Sequence, residues 1–334
     1  MTQDDDSSRG ERQTTIAVVI PCYRVRKHIL DVISQVPACV DRVYVVDDAC
    51  PDSSGQYVLE YCADPRVTVL WNEINRGVGG TVVAGYRRAI EDGADIVVKI
   101  DGDGQMDPSL IPALINPIIE GEADYTKGNR FYDLTKISRM PTARLIGNAA
   151  LSFMSKLSTG YWDIFDPTNG YTAVHASVAA RLPLEKISQR YFFETDMLFR
   201  LGTVRAVVAD VSMDSRYGDE VSGLSIPRVV GEFAMKHLRN LIKRVFYTYF
   251  LRDMSIASLE LVAGLCLLGF GLVYGLAHWI QSYGNNMVTS AGTVMLAALP
   301  VLVGLQFVLA FLGYDIASVP RKPIHRSRVA WRHR

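Results

Sequence analysis

Residues 96 to 105 read Ile96-Val97-Val98-Lys99-Ile100-Asp101-Gly102-Asp103-Gly104-Gln105. A short apolar run ending on two carboxylates one residue apart, loosened by glycine, predicts a buried strand that opens onto a turn. Glycine lets the backbone of such a turn approach a ligand closely, and the carboxylates can hold a hard divalent cation against a diphosphate. The cation would then neutralise charge on a leaving nucleoside diphosphate. Asp and Gly also populate turns for local hydrogen-bonding reasons, so the surrounding segments decide the reading.

Working outward, β-branched runs at Ile16 to Ile20, Arg42 to Val46 and Arg66 to Leu70, with a weaker one near Tyr125, alternate with helical patterns at 26 to 36, 54 to 62, 80 to 91 and 108 to 119. That alternation predicts an α/β fold, a mostly parallel Rossmann-like sheet covered by helices. Open sheets of this kind bind ligands at the carboxyl ends of their strands. Those ends carry Pro21 and Tyr23, Asp47-Asp48, and Asp101 to Gln105. From 130 to 225 the pattern is less regular, with a helix expected near 141 to 158, a turn at Asn169-Gly170 and a strand at Val204 to Val211.

The chain has 334 residues, 49% of them apolar, enough for one large α/β domain and an appendage. Lys plus Arg equals Asp plus Glu at 35 each, so charge balance supplies no argument for a nucleic-acid partner, and none is expected. The five cysteines are odd in number and lack metal-ligand spacing, which points to reduced thiols in a cytosolic domain. The acidic start, residues 1 to 13, reads as a disordered tail with no secretory signal behind it.

Several strand-end residues carry two readings. Asp47 and Asp48 can accept hydrogen bonds from a nucleobase or ribose, or cap a following helix. Tyr23 can stack on a base or close the core. Arg76-Gly77-Val78-Gly79-Gly80 follows the third strand and has Val82 in place of a final glycine, so it is no dinucleotide fingerprint. A glycine-rich helix start beside an arginine still suits a phosphate, through backbone amides and the helix dipole. No G-x-x-x-x-G-K-[ST] sequence occurs, which excludes a P-loop NTPase.

Toward the C-terminus, Phe233 to Leu251 places Lys236, Arg239, Asn240 and Lys243 on one helical face and Leu238, Leu241, Ile242, Val245 and Tyr249 opposite, the pattern of an interfacial amphipathic helix or of a surface helix docked on a core. Two long apolar segments follow, about 256 to 280 and 288 to 314, each long enough to cross a bilayer. Their outer flanks are rich in Lys and Arg, six of them in Arg321 to Arg334 with no acid, and the connector at Gln281 to Asn286 has none. The positive-inside rule then puts both chain ends in the cytosol, at a plasma or inner membrane in a bacterium. A homo-oligomer packed through these helices is compatible with such an anchor.

Taken together, Ile20-Pro21-Cys22-Tyr23, Val45-Val46-Asp47-Asp48, Asn75 to Gly80, Asp101 to Gln105, Gly128-Asn129-Arg130 and Asp166-Pro167-Thr168-Asn169-Gly170-Tyr171 resemble, in their order, the inverting family 2 glycosyltransferases of GT-A fold, and among them the dolichyl- or polyprenyl-phosphate sugar synthases. The resemblance covers about 15 to 225. It implies a GT-A domain at 14 to 225; the periodicity, hydropathy and charge of the remainder add amphipathic interfacial helices at 226 to 253, a two-helix transmembrane anchor at 254 to 316, which also resembles that of membrane-anchored members, and a basic cytosolic tail at 317 to 334.

It also implies roles. Pro21, Tyr23, Asp47, Asp48, Arg76, Gly77, Asp101 and Gly102 would line the nucleotide, with Asp48 meeting the base. Asp101, Asp103 and Gln105 would hold Mg²⁺ or Mn²⁺. Arg130, Arg144, Asn148 and Arg216 would grip the phosphate of a polyprenyl acceptor, with Asp103, Gln105, Arg130 and Asp166 at the reaction centre. Asn148 stands where a serine is usual, and Tyr217 to Gly223 departs from the usual R-x-x-G-x-S-K. No Q-x-x-R-W motif occurs, which argues against a processive polysaccharide synthase.

A phosphate acceptor also makes chemical sense: a phosphomonoester is largely dianionic at neutral pH, so it needs arginine for positioning more than it needs a base. A sugar hydroxyl on a lipid-linked glycan is the second acceptor class. It would call on Asp166, Glu194 or Asp196 as base, unless these serve as caps and ion-pair partners of Arg181, Arg190 and Arg200. A membrane protein that binds nucleotide sugar without turnover is the third reading.

Overall fold

The computed structural model describes residues 13–131, 142–213 and 226–326, with the side chains of 143, 144 and 226–230 outside that description. Its centre is a seven-stranded sheet: β1 (Ile16–Cys22), β2 (Arg42–Asp47), β3 (Val67–Trp71), β4 (Ile96–Lys99), β5 (Tyr125–Asn129), β6 (Thr172–His175) and β7 (Val208–Ser212), in the order β3-β2-β1-β4-β6-β5-β7. β6 runs antiparallel to both of its neighbours and every other pair is parallel. The parallel half matches the alternation in the sequence. β6 was not legible there, because four residues between a Gly-containing turn and a helix give too short a period-two pattern.

Both faces of the sheet are covered, and β1 shows why its sequence is apolar throughout. Ala17 and Val19 join one core with Tyr44, Val46, Val97 and Val174, whereas Val18 and Ile20 join the other with Val43, Val45, Ile96 and Val98. Each fully buried Val or Ile contributes about 1.5–3 kcal/mol of transfer free energy. The first core lies under α3 (Gly77–Glu91) and α7 (Phe193–Thr203); the second lies under α1 (Ile29–Ser34), α2 (Ser54–Tyr61) and α4 (Ile111–Ile119). Two further helices precede α7, α5 (Thr142–Thr159) and the single turn α6 (Ala176–Ala179).

After the sheet come α8 (Ile226–Phe246), a π-helical turn at Tyr247–Arg252, and two long helices, α9 (Ile256–Gly284) and α10 (Ala291–Ala317), each long and apolar enough to cross a membrane. α9 and α10 pack as a hairpin, with Gly264 against Gly304.

The faces of α8 fall differently from the two-face division of the sequence. His237, Asn240 and Arg244 are buried against the domain built on the sheet, where His237 meets Ser158 at 2.8 Å and Asn240 donates to Asp196 at 3.2 Å. Met235, Leu238, Ile242 and Phe246 are 50–66% exposed, one outward apolar stripe. Asn240 thus leaves the solvent face it was assigned, because a buried carboxylate takes its amide.

The basic tail expected after the second span is, at 324–326, docked on the domain built on the sheet. Asp124, fully buried at the entry to β5, accepts the backbone N–H groups of Ile324 and His325 at 2.9 Å each and pairs with His325 Nδ1 at 2.7 Å. The His325 ring stacks on His175 at 4.4 Å. The expected tail at 1–13 falls, apart from Gln13, outside the described residues, as does the remainder of the basic segment after Arg326.

Candidate active site

β1 lies between β2 and β4, and the chain leaves it toward β2 and β3 on one side and toward β4 on the other. The crevice at that switch point is bordered by the carboxyl ends of β1, β2 and β4. Tyr23, 42% exposed, borders it after β1, and Asp101 to Gln105 form the turn after β4.

Asp47 ends β2 and Asp48 follows it, 3% and 2% exposed. Asp47 accepts from the amides of Cys50 and Gly55, both at 2.8 Å. Asp48 Oδ1 accepts from Asn72 Nδ2 at 2.9 Å and the Arg76 amide at 2.8 Å, and its Oδ2 from the Gly77 amide at 2.8 Å. These carboxylates build the crevice wall, and a base would reach only the lone pairs those amides leave over.

The same bonds correct one expectation. The amides at the start of α3 do not form a phosphate cradle: those of Arg76 and Gly77 go to Asp48, and those of Gly79 and Gly80 go to the Gln189 carbonyl. The glycines serve backbone approach instead, since a Cβ at Gly79 would stand 2.3 Å from the Ser188 carbonyl oxygen. The Arg76 side chain remains exposed.

The turn after β4 is organised from beneath by a lysine. Lys99, 1% exposed, places its ammonium 2.7 Å from Asp101 Oδ1 and 3.6 Å from Glu194 Oε1 on α7. Burial alone would lower its pKa, but the two carboxylates outweigh burial and hold it above the ordinary lysine value. Gly170 makes the room: a Cβ there would stand 2.2 Å from Lys99 Nζ. Asp103 Oδ1 accepts the Gln105 amide at 3.0 Å, and Gly104 takes the positive φ of 79° that the turn requires.

Among the described residues no cluster of three His, Cys, Asp or Glu side chains could hold a metal by itself. Two carboxylates and the Gln105 amide on one turn suit a hard cation that draws its remaining oxygens from a substrate diphosphate.

On the far side, β5 ends at Asn129 and delivers Arg130 to Asp166. The Arg130 Nε lies 2.7 Å from Asp166 Oδ2 and its Nη2 3.0 Å from Oδ1, a two-pronged pair, and the carboxylate is 1% exposed. Beneath it Lys127, fully buried, donates to the Asn169 carbonyl. Burial pulls its pKa down to about 8, against the carboxylates of Asp166, Glu194 and Asp210. Lys99 and Lys127 both pair with Thr172 in register, so the two ammonium groups lie on one face of the sheet, under the 166–171 loop.

Of the other base candidates, Asp196 is taken by the Ser188 amide, Arg200 and Asn240. Glu194 shares the Lys99 ammonium with Asp101 at the turn after β4. Arg144 and Asn148 lie on the N-terminal half of α5, with the Arg144 side chain outside the described atoms; Arg216 lies outside the described residues altogether. The sequence reading missed Lys99 and Lys127. The available signal was a lysine set inside an otherwise apolar strand, Val-Val-Lys99-Ile, and inside Tyr-Thr-Lys127-Gly.

A switch-point crevice with a paired-carboxylate turn, on a mostly parallel sheet broken by one antiparallel strand, is the arrangement that the resemblance to GT-A glycosyltransferases implies. A family model described as glycosyl transferase family 2 matches residues 17–182. The chain is 30% identical over 190 residues to the UDP-N-acetylglucosamine–dolichyl-phosphate N-acetylglucosaminyltransferase of Methanococcus voltae, covering 53% of this chain and 75% of that one. It is 34% identical over 171 residues to the undecaprenyl-phosphate mannosyltransferase of Micrococcus luteus, covering 51% and 69%. The fold is similar to that of glucosyl-3-phosphoglycerate synthase from Mycobacterium tuberculosis, with TM-score 0.51, 19% identity and coverage of 69% and 78% of the two chains. The chain belongs to glycosyltransferase family 2 and is a glycosyltransferase.

Proposed function

We propose that the protein transfers a single sugar from a nucleotide-sugar donor to polyprenyl phosphate at the cytosolic membrane face, with inversion at the anomeric carbon and dependence on a divalent cation. The observation that carries the acceptor class is the similarity to two enzymes named for dolichyl phosphate and undecaprenyl phosphate. The outward stripe Met235, Leu238, Ile242 and Phe246, continuous in sequence with the apolar hairpin, supports it physically. Lys236, Arg239 and Lys243 beside that stripe suit a headgroup layer. On this reading residues 14–225 are catalytic, 226–253 interfacial and 254–316 the anchor.

In the transfer, an oxygen of the acceptor phosphate forms a bond to the anomeric carbon while the bond from that carbon to the nucleoside diphosphate breaks, and no proton needs to move. Asp101, Asp103 and Gln105 would hold Mg²⁺ or Mn²⁺, which when bound supplies positive charge to the departing diphosphate. Lys99 fixes the orientation of Asp101. Tyr23 offers a ring face to the base. Arg130, set by Asp166, supplies a fixed guanidinium on the acceptor side, joined by Arg144, Asn148 and Arg216. With Asp166 bound in two places by Arg130, a hydroxyl acceptor activated by that carboxylate is disfavoured.

The test is incubation of purified protein with Mn²⁺, labelled nucleotide sugars and undecaprenyl phosphate. Lipid-extractable label from one donor is expected. No such label from any common donor overturns the proposal.

A further inference from the structure

Asp315, in the last turn of α10, is 3% exposed and gathers donors from three separate segments. Arg244 of α8 reaches it with Nη1 at 2.6 Å and Nη2 at 3.0 Å, Tyr249 of the π-helical turn with its hydroxyl, and Trp162 of the catalytic domain with Nε1 at 2.9 Å. Arg244 also donates through Nε to the Leu157 carbonyl at 3.0 Å, in the final turn of α5. The Tyr249 carbonyl accepts from Ser258 at the start of α9. One carboxylate thus joins both apolar helices, the interfacial segment and the catalytic domain.

A buried ion pair is a poor device for stability alone, since desolvating both charges offsets much of their attraction; its best-attested use is to fix one register. The elements it registers matter here. α5 is held at Leu157, while its N-terminal half carries Arg144 and Asn148, about 20 Å and about 14 Å away at 1.5 Å per residue. The second attachment, Ile324 and His325 on Asp124, sits at the entry to β5, whose exit delivers Arg130. Both attachments therefore act on elements whose far ends form the acceptor side.

We infer that Asp315 is a positioning residue: through Arg244 and α5 it sets the height and tilt of the acceptor-side residues relative to the membrane, so that a phosphate held at a fixed depth by its lipid chain meets the donor. This rests on the polyprenyl-phosphate reading and adds to it a residue remote from both substrates. A misplacement of about 1 Å is worth up to about 100-fold in rate. It should matter for an acceptor pinned in a bilayer and much less for one free to adjust.

The experiment compares the parent protein with Asp315→Asn and Tyr249→Phe on two acceptors, undecaprenyl phosphate in phosphatidylglycerol vesicles and farnesyl phosphate in detergent. For Asp315→Asn, KM for the vesicle-bound acceptor should rise about 10-fold or more, with kcat/KM for farnesyl phosphate and KM for the donor within about 2-fold. Tyr249→Phe should show a smaller shift of the same selectivity, and it decides the matter if Asp315→Asn does not fold. Parallel loss on both acceptors, or no change on either, overturns the inference and leaves the acceptor assignment standing. No transfer by the parent protein to either acceptor overturns both.

Discussion

The Lys99 ammonium lies 2.7 Å from Asp101 Oδ1 and 3.6 Å from Glu194 Oε1, so the first carboxylate of the paired-carboxylate turn is held by a buried cation that it shares with a second acid from another element. With Asp103 included, the group carries three negative charges against one positive, a net charge that a divalent ion would balance. The lysine keeps the turn in place before any ligand arrives.

Replacing Lys99 with Met should leave two neighbouring carboxylates without their counter-charge. Removing one partner of a buried pair costs about 3–5 kcal/mol, and the lower end applies because Asp101 is 29% exposed. Calorimetry should show a lower Tm, partly restored by Mn²⁺ with nucleoside diphosphate, and a restoration larger than the parent's stabilisation by the same ligands. A variant with the parental Tm and the parental ligand response would show that Lys99 does not hold the turn.

The Arg130–Asp166 pair gives a second prediction. If Asp166 orients Arg130, Asp166→Asn should lower kcat/KM for the acceptor about 10- to 100-fold through misplacement, with nucleotide binding intact and the acid limb of the pH–rate profile unmoved. Loss of that limb together with several orders of magnitude in kcat would instead identify Asp166 as a base, and the acceptor as a hydroxyl.

Legibility in the sequence followed the range of the interactions. β1, β2 and β4 were readable because each buries an apolar run, the edge strand β3 because its sequence is β-branched and half-buried, and the turn at Asp101 to Gln105 because its chemistry is local. What escaped depends on partners far along the chain. β6 is defined by β4 and β5, not by its own four residues. The burial of Asn240 and Arg244 depends on Asp196 and on Asp315, 44 and 71 positions away. The α3 amides looked free until Asp48 and the Gln189 carbonyl were seen to occupy them.

The docked segment at Asp124 should loosen in acid. Burial, together with the neighbouring His325, pulls the His175 pKa down to about 4 from 6.5; Asp95 and Asp124 oppose this and Arg181 adds to it. The unfolded chain therefore binds a proton that the folded protein refuses between those values. Stability falls as pH drops from about 6.5 to about 4, by on the order of 3 kcal/mol for the full interval. His175→Gln should flatten the dependence of Tm on pH across that window. An unchanged slope would assign the acid sensitivity to other groups.

Topology supplies the last prediction. A short segment after α10 leads to Ile324 and His325, which bond to Asp124 in the catalytic domain, and α9 is preceded by a turn tied to the same domain through Arg252 and the Thr203 carbonyl at 2.6 Å. Both outer ends of the hairpin therefore lie on the catalytic side, and the connector lies at the opposite end, where Asn286 is exposed and Lys and Arg are absent. With the positive-inside rule the expected topology has the catalytic domain in the cytosol and Asn286 across the membrane. A membrane-impermeant maleimide should label an Asn286→Cys variant in intact spheroplasts, and should label the exposed native Cys39 only after permeabilisation. Labelling of Cys39 but not of Asn286→Cys in intact spheroplasts would reverse the orientation. Equal labelling of both sites would mean that the hairpin lies on the membrane without crossing it, and the apolar stripe of α8 would then have to carry more of the attachment.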